Sequence, residues 1–390
     1  MANQPRLSVY LIALGAFALG MASYVTAGLI PLIGDAFSVS AAKAAQLVTA
    51  FTLAYGLGSP IVVALLPGRQ QRLGLLVALV IFVVANIASA LATSFVSLVV
   101  WRAVAGVGAG VYLAMGIAAA AAITAEAQRG KAIAIIMGGM ASGTVLGVPI
   151  SLLLAERLGW ASAMWLIAVL GFIAYAGLHV KLPAVPPAPM LSLVRKVAIL
   201  KNPHAMAILG VSLLAAIASL GMYTFIAPFM AATESGAVQS ITGYLWVWGI
   251  GGVVGSFLIG PLVDKFNGPA ITLAIMLLLF IALIALPFSA SVHPLLTLLP
   301  IALWGAVGWA LQVPQNNELV RTRQAHGDGN LAVALNESAL YLGSALGAAS
   351  GGMLLALHLP VSTLAVGAGA IAAMGAAVQL IIVMRTKRWL

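Results

Sequence analysis

Two ionisable side chains fall well inside long apolar runs of the sequence, Arg102 and Glu337. Arg102 opens the stretch WRAVAGVGAG, Trp101 to Gly110. There Arg102, Gly106 and Gly110 recur at i, i+4 and i+8, so they share one side of a helix, and glycine on that side lets a second backbone come close. A guanidinium facing lipid costs about 2.5 to 3.5 kcal/mol on insertion scales, so Arg102 is expected to look toward protein or a water-filled cavity. There it can draw in a substrate or a carboxylate, or it can hold carbonyls of neighbouring helices as a static anchor. Glu337 lies in NESALYLGSALG, Asn336 to Gly347, with Tyr341 and Ser344 on the same helical side. A carboxylate in low dielectric can bind and release a proton near neutral pH, which is the chemistry of proton coupling. The alternative is a shallow Glu337 that caps a helix or pairs with a loop base such as Arg321.

A second group of residues could line a binding cavity. It comprises Ser23, Tyr24, Thr26, Gln46, Thr49, Thr52 and Tyr112, then Tyr223, Thr224, Tyr244, Trp248, Trp309, Gln312 and Asn316. Gln312 and Asn316 stand at i and i+4, with Trp309 one turn earlier. Hydroxyls, amides and ring faces suit a neutral or weakly polar ligand, such as a sugar or an aromatic compound. Each could equally serve as an interhelical hydrogen bond or an interfacial belt. The five histidines fall at the ends of apolar runs or in loops, without metal-ligand spacing. No glycine-rich phosphate loop ends in Gly-Lys-Ser or Gly-Lys-Thr, no serine and histidine combine as a nucleophile and base, and cysteine is absent. Neither an enzyme, nor a metal centre, nor a cofactor is expected.

The elements that position these groups follow from composition. Hydrophobic residues make up 63% of the 390 and charged residues 7%, against about 25% charged in soluble domains. Mean hydropathy is +1.14. An apolar helix needs about 20 residues to cross the hydrocarbon core, and twelve candidates meet that length. They run roughly over 8–31, 45–66, 73–94, 98–122, 132–155, 160–180, 206–230, 242–262, 269–289, 295–317, 330–356 and 362–384. A polar, proline-bearing stretch over 181–205 divides six spans from six and reads as a cytoplasmic linker between an N-terminal half, 1–180, and a C-terminal half, 206–390. The run after Leu7 is too long for a cleavable leader, so the first span is expected to be retained.

Charge fixes the expected orientation. With the amino terminus in the cytoplasm, fifteen of the 18 Lys and Arg fall inside, only Lys43 and Arg157 outside, and Arg102 within a span. Both termini are then cytoplasmic. The net charge of +10 is this loop bias, so no nucleic-acid partner is implied. The two halves also echo each other. GLGSPIVVALLPGRQQRLG, Gly56 to Gly74, and GSFLIGPLVDKFNGP, Gly255 to Pro269, are both apolar, glycine-bearing helix ends followed by a tight basic loop.

These stretches resemble the major facilitator superfamily, in particular its twelve-span drug–proton antiporter branch, over nearly the whole chain. WRAVAGVGAG resembles the fourth-span motif of an arginine followed by spaced glycines. The fifth span, GGMASGTVLGVPISLLLAERLGW from Gly138, resembles the antiporter motif through Gly143, Gly147 and Pro149, with Ser151 where glycine is usual. GMASYVTAGLIPLIG from Gly20 and YTFIAP from Tyr223 resemble bacterial sugar-efflux and drug-efflux members. Two departures stand out. Gly68, followed by Arg69, takes the place of the usual acid after span 2, whereas the second-half copy keeps Asp264 and Lys265. Ser23 stands in span 1 where efflux relatives often carry an acid.

The resemblance implies an all-α membrane protein of two pseudo-symmetric six-helix halves. It implies a monomeric inner-membrane transporter that moves a small molecule, drug-like or sugar-like, outward against protons by alternating access. It also implies a proton-relay role for Arg102 and gating geometry for the fifth-span glycines. Ser23 leaves Glu337 as the candidate proton carrier. An uncoupled facilitator or importer of a small polar metabolite is the alternative that Ser23 favours and the fifth-span motif opposes.

Overall fold

The computed structural model describes residues 7–65, 70–125, 128–185, 201–232, 241–323 and 329–387. Arg69 lies outside them, as does most of the stretch between the halves; the side chain of Asp264 is likewise not described. Among the described residues, twelve helical segments are long and apolar enough to cross a membrane. They are α1 Leu7–Phe37, α2 Ala41–Val63, α3 Gln71–Ala90, α4 Phe95–Ile123, α5 Lys131–Leu158, α6 Ala161–Lys181, α7 Pro203–Thr224, α8 Thr242–Val263, α9 Gly268–Val292, α10 Leu295–Thr322, α11 Ala332–Ala356 and α12 Ser362–Arg385. Several begin on side-chain caps. Ser94 accepts from Ser97 N ahead of α4, and Asn202 accepts from His204 N and Ala205 N ahead of α7. Gly159, at φ 85°, ends α5 in a conformation that only glycine adopts without strain.

The chain forms two compact units. One comprises the described residues of 1–39 and 46–191, the other those of 40–45 and 192–390. Within the first, α1 packs on α5 and α6, α2 on α4, and α3 on α4 and α6. Within the second, α7 packs on α11 and α12, α8 on α10, and α9 on α10 and α12. Adding six to each helix number turns one set of pairs into the other, which is the internal repeat written in packing.

Missing side chains set the closest of these seams. A Cβ on Gly139 or Gly143 of α5 would strike a backbone carbonyl of α1, and one on Gly106 of α4 would strike the carbonyl of Phe51 in α2. In the second unit Gly343 and Gly347 of α11 lie against α7 backbone, and Gly251 and Gly255 of α8 against α10 carbonyls. Lipid tails are as apolar as Leu, so helices in a membrane gain little from apolar burial and associate through close backbone approach.

Prolines shape four spans. A π-helical turn covers Ala54–Gly58 in α2 and another covers Gly143–Gly147 in α5. Pro60 and Pro149 each follow two residues later and lack the N–H that would bond Gly56 or Val145 four residues back, so the wider turn sits where the ladder is interrupted. Span 7 leaves helical conformation at Phe225, between Thr224 and Ile226, where Pro228 cannot donate to the carbonyl of Thr224. Span 10 loses only the bond that Pro314 cannot donate to the carbonyl of Ala310; Leu311 stays helical and donates to the carbonyl of Val307.

Candidate functional site

Arg102 is 1% exposed and meets three helices from α4. Its Nη2 donates to the carbonyl of Ala22 on α1 at 2.7 Å. Its guanidinium lies over the ring of Phe51 on α2, 4.4 Å from the centroid. Nη1 lies 4.0 Å from Sδ of Met164 on α6. No acid pairs with it among the described residues. The neighbouring glycines explain the geometry. Gly106 lets the Phe51 backbone come close, which sets the ring under the guanidinium. Gly143 against the Phe17 carbonyl, and Gly147 against the Met21 side chain, hold the stretch of α1 whose carbonyl Arg102 uses. Three buried polar groups on these helices lack a hydrogen-bond partner: Arg102 Nε, Thr26 Oγ1 and Thr49 Oγ1.

The other expected groups of the first unit are distributed differently. Tyr24 and Thr49 are half-buried, and Gln46 is exposed. Tyr112 does not line a cavity: it is fully enclosed, its hydroxyl donates to the carbonyl of Ile12 at 3.0 Å, and its ring fills the space that Gly15 leaves. It belongs to the α1–α4 seam, because a tyrosine that finds a backbone acceptor and a glycine gap buries more surface there than at a wet wall. Ser23 and Thr52 donate back along their own helices, to Leu19 and Val48 carbonyls.

The second unit gathers aromatic rings from α7, α8 and α10. Tyr223 and Trp248 lie 4.5 Å apart between centroids, and Trp248 stands 6.1 Å from Trp304 and 5.7 Å from Trp309, edge-on to both. Trp304 Nε1 donates to Ser219 Oγ at 2.7 Å, so the buried indole is satisfied. Tyr244 is also buried. Trp309, unlike Trp248 and Trp304, is half-buried, as is Gln312 three residues further along the same helix.

One turn further, Asn316 Oδ1 accepts from Asn336 Nδ2 of α11 at 2.8 Å, while Asn336 Oδ1, fully buried, has no partner. Glu337 follows on α11, half-buried, without an ion pair among the described residues, and Arg321 is described and is not its partner. Glu318 pairs instead with His204 at 3.5 Å, at the start of α7. Lys265 is exposed where the α8 helix ends.

Sequence reasoning missed Trp304, Ser219 and the partnership of Asn336 with Asn316. The Trp304 signal was available, since Trp304 and Trp309 flank one turn of α10. The asparagine pair joins separate helices and left no local signature. The α7 break was also legible, from Pro228 three residues beyond Phe225.

The profile of the Major Facilitator Superfamily matches residues 12–348, and the chain belongs to that family. It is similar to the inner membrane transport protein YdhP of Escherichia coli O157:H7, 29% identical over 386 residues, covering 99% of this chain and 97% of that one. It is also similar to a chloramphenicol resistance protein of Streptomyces lividans, 30% identical over 347 residues, with 87% of each chain covered. Among solved structures, a bacterial homologue of the human lysosomal transporter Spinster superposes with a TM-score of 0.77 at 16% identity, over 98% of this chain and 97% of that one. The protein is a multi-pass membrane transporter of small solutes, not an enzyme, with twelve spans in two pseudo-symmetric halves.

Proposed function

We propose that the protein exports a small, neutral, aromatic molecule from the cell across the inner membrane, driven by protons, by alternating access between an N-terminal half over 1–180 and a C-terminal half over 206–390 joined by a cytoplasmic linker. The observation that carries the substrate class is the ring group of α7, α8 and α10, where half-buried Trp309 is backed by Trp248, Tyr223 and Trp304 and followed along α10 by Gln312 and Asn316. Ring faces with amides suit an uncharged aromatic ligand. The names of two relatives, a chloramphenicol resistance protein and an inner membrane transport protein, support export and location. Tyr24, Thr26, Gln46 and Thr49 would contribute from the first half. Glu337 would carry the proton, and Arg102, with Gly106, Gly110, Gly143, Gly147 and Pro149, would hold the geometry. The protein would work as a monomer with both termini in the cytoplasm.

An uncoupled facilitator is the second reading, favoured by the lack of any acid beside Arg102 among the described residues and by Ser23 in α1. A panel of aromatic compounds and sugars, tested for efflux in a pump-deficient host with and without an uncoupler, separates the two. Coupled export predicts lowered accumulation of an aromatic compound that the uncoupler abolishes. Accumulation that merely equilibrates, with or without uncoupler, favours the facilitator.

A further inference from the structure

We propose that a groove between α11 and α12, floored by α7 and the Phe225 that follows it, holds one acyl chain of a membrane phospholipid. The groove encloses about 240 Å³. Gly221 and Phe225 form its floor, Gly347, Ser350 and Met353 one wall, and Gly367 part of the other. No charged side chain lines it, and its one hydroxyl, Ser350 Oγ, donates to the carbonyl of Gly347 at 3.2 Å. It therefore offers a ligand dispersion contacts and removal from water, with no side-chain hydrogen bond. Its volume falls below the range of about 300 to 1,000 Å³ that houses drug-sized ligands, and it suits a segment of a single alkyl chain.

The occupant follows from where the groove lies. Every lining element is a membrane-spanning helix or directly continues one, and Met353 and Leu357, at 65% and 60% exposure, carry the groove into the lipid-facing surface. Hydrocarbon is what surrounds it. Glycine makes the space: Gly221 and Gly347 pack on each other, and a Cβ on Gly367 would meet only Leu354 Cδ1, at 3.9 Å. An apolar gap left empty forfeits the dispersion contacts of its lining, and an acyl chain restores them. The groove opens toward the loop that joins α11 to α12, so the chain comes from the leaflet opposite the termini. It would rest on Phe225, where α7 is broken, two residues from Tyr223 of the aromatic group, so lipid would brace the broken helix.

The test uses the full chain in vesicles of phosphatidylethanolamine and phosphatidylglycerol that contain a phospholipid with a photoactivatable diazirine in its acyl chain. After irradiation, mass spectrometry locates the label. The expected result is label concentrated on the peptides bearing Met353 and Gly367, in excess over the α9 peptide bearing the exposed Leu277, Leu278 and Ile281. Gly367→Phe fills the groove from a position with room for a side chain, and is expected to abolish the groove label and leave the α9 label unchanged. Gly367→Ala is expected to cause a partial loss. Equal labelling of the groove and α9 overturns the proposal, as does groove labelling that survives Gly367→Phe. If Gly367→Phe does not fold, the wild-type distribution decides by itself.

Discussion

Arg102 shows how a buried charge is held without an opposite charge among the described residues. Its transfer cost is about 2.5 to 3.5 kcal/mol on insertion scales. A hydrogen bond from a charged donor contributes about 1.5 to 3 kcal/mol, and a cation over a ring face about 0.5 to 2 kcal/mol. Together the Ala22 carbonyl and the Phe51 ring offset the cost, so the observed geometry suits an anchor. Lysine could keep one carbonyl but has no planar face to lay on Phe51. Arg102→Lys is therefore expected to lower unfolding stability in detergent by about 1 to 2 kcal/mol. A variant of unchanged stability that has lost uphill transport would instead mark Arg102 as a proton relay. Glu337 is the opposite case, a carboxylate among apolar helices with no described base beside it. Glu337→Gln is expected to keep substrate binding and downhill exchange and to lose gradient-driven efflux, measured in proteoliposomes under an imposed pH difference. Concentrative efflux by that variant would remove Glu337 from the coupling scheme.

Among elements, α5 separates two kinds of close contact that look alike in its sequence. A Cβ on Gly143 would meet the backbone of Phe17, which cannot give way without moving α1. A Cβ on Gly147 would meet Cγ of Met21, a buried side chain that must change rotamer to make room but leaves the α1 backbone in place. Gly143→Ala is thus expected to cost about 1 to 3 kcal/mol through overpacking and to abolish transport, with Gly147→Ala losing less of both. Only a larger side chain at the second position, as in Gly147→Leu, is expected to stop transport while leaving the protein in the membrane. Substrate-flux assays on membrane-inserted protein check all three; equal loss in both alanine variants would show that the seam tolerates nothing at either glycine. In α7 and α10 a proline removes one backbone donor, from the carbonyls of Thr224 and Ala310; α7 leaves helical conformation at Phe225, whereas α10 stays helical at Leu311.

At the scale of the whole molecule, the helix pairs of one unit recur in the other, and so do the ties that close the units. Arg72 at the start of α3 donates to the Leu182 and His179 carbonyls at the end of α6, at 3.1 and 2.8 Å. In the second unit Gln379 of α12 donates to the carbonyl of Pro269 at the start of α9, at 2.9 Å. The same pair of helices is joined in each, by different side chains. The loop charges give the orientation to be tested. A reporter fused after Lys201 or at Leu390 is expected to read as cytoplasmic, by the bias of basic residues toward that side. A periplasmic reading at either point would contradict the charge count and the proposed two-half topology together.

The sequence by itself determined the membrane class, the twelve spans and the family, because spans are set by length and hydropathy and the family by motifs local to single helices. It also marked Arg102 as inward-facing, since the cost of exposing a guanidinium to lipid does not depend on which helix lies opposite. Partners were decided only by the tertiary structure. Tyr112 and Trp309 look equally suited to a cavity wall in the sequence, yet one finds the Ile12 carbonyl and a glycine gap while the other stays half-open against Trp248. Asn336 meets Asn316, and Glu318 meets His204, across helices far apart in the chain. Spacing along one helix states which side chains share a face; which helix that face meets, and at what depth, depends on the packing of all the others.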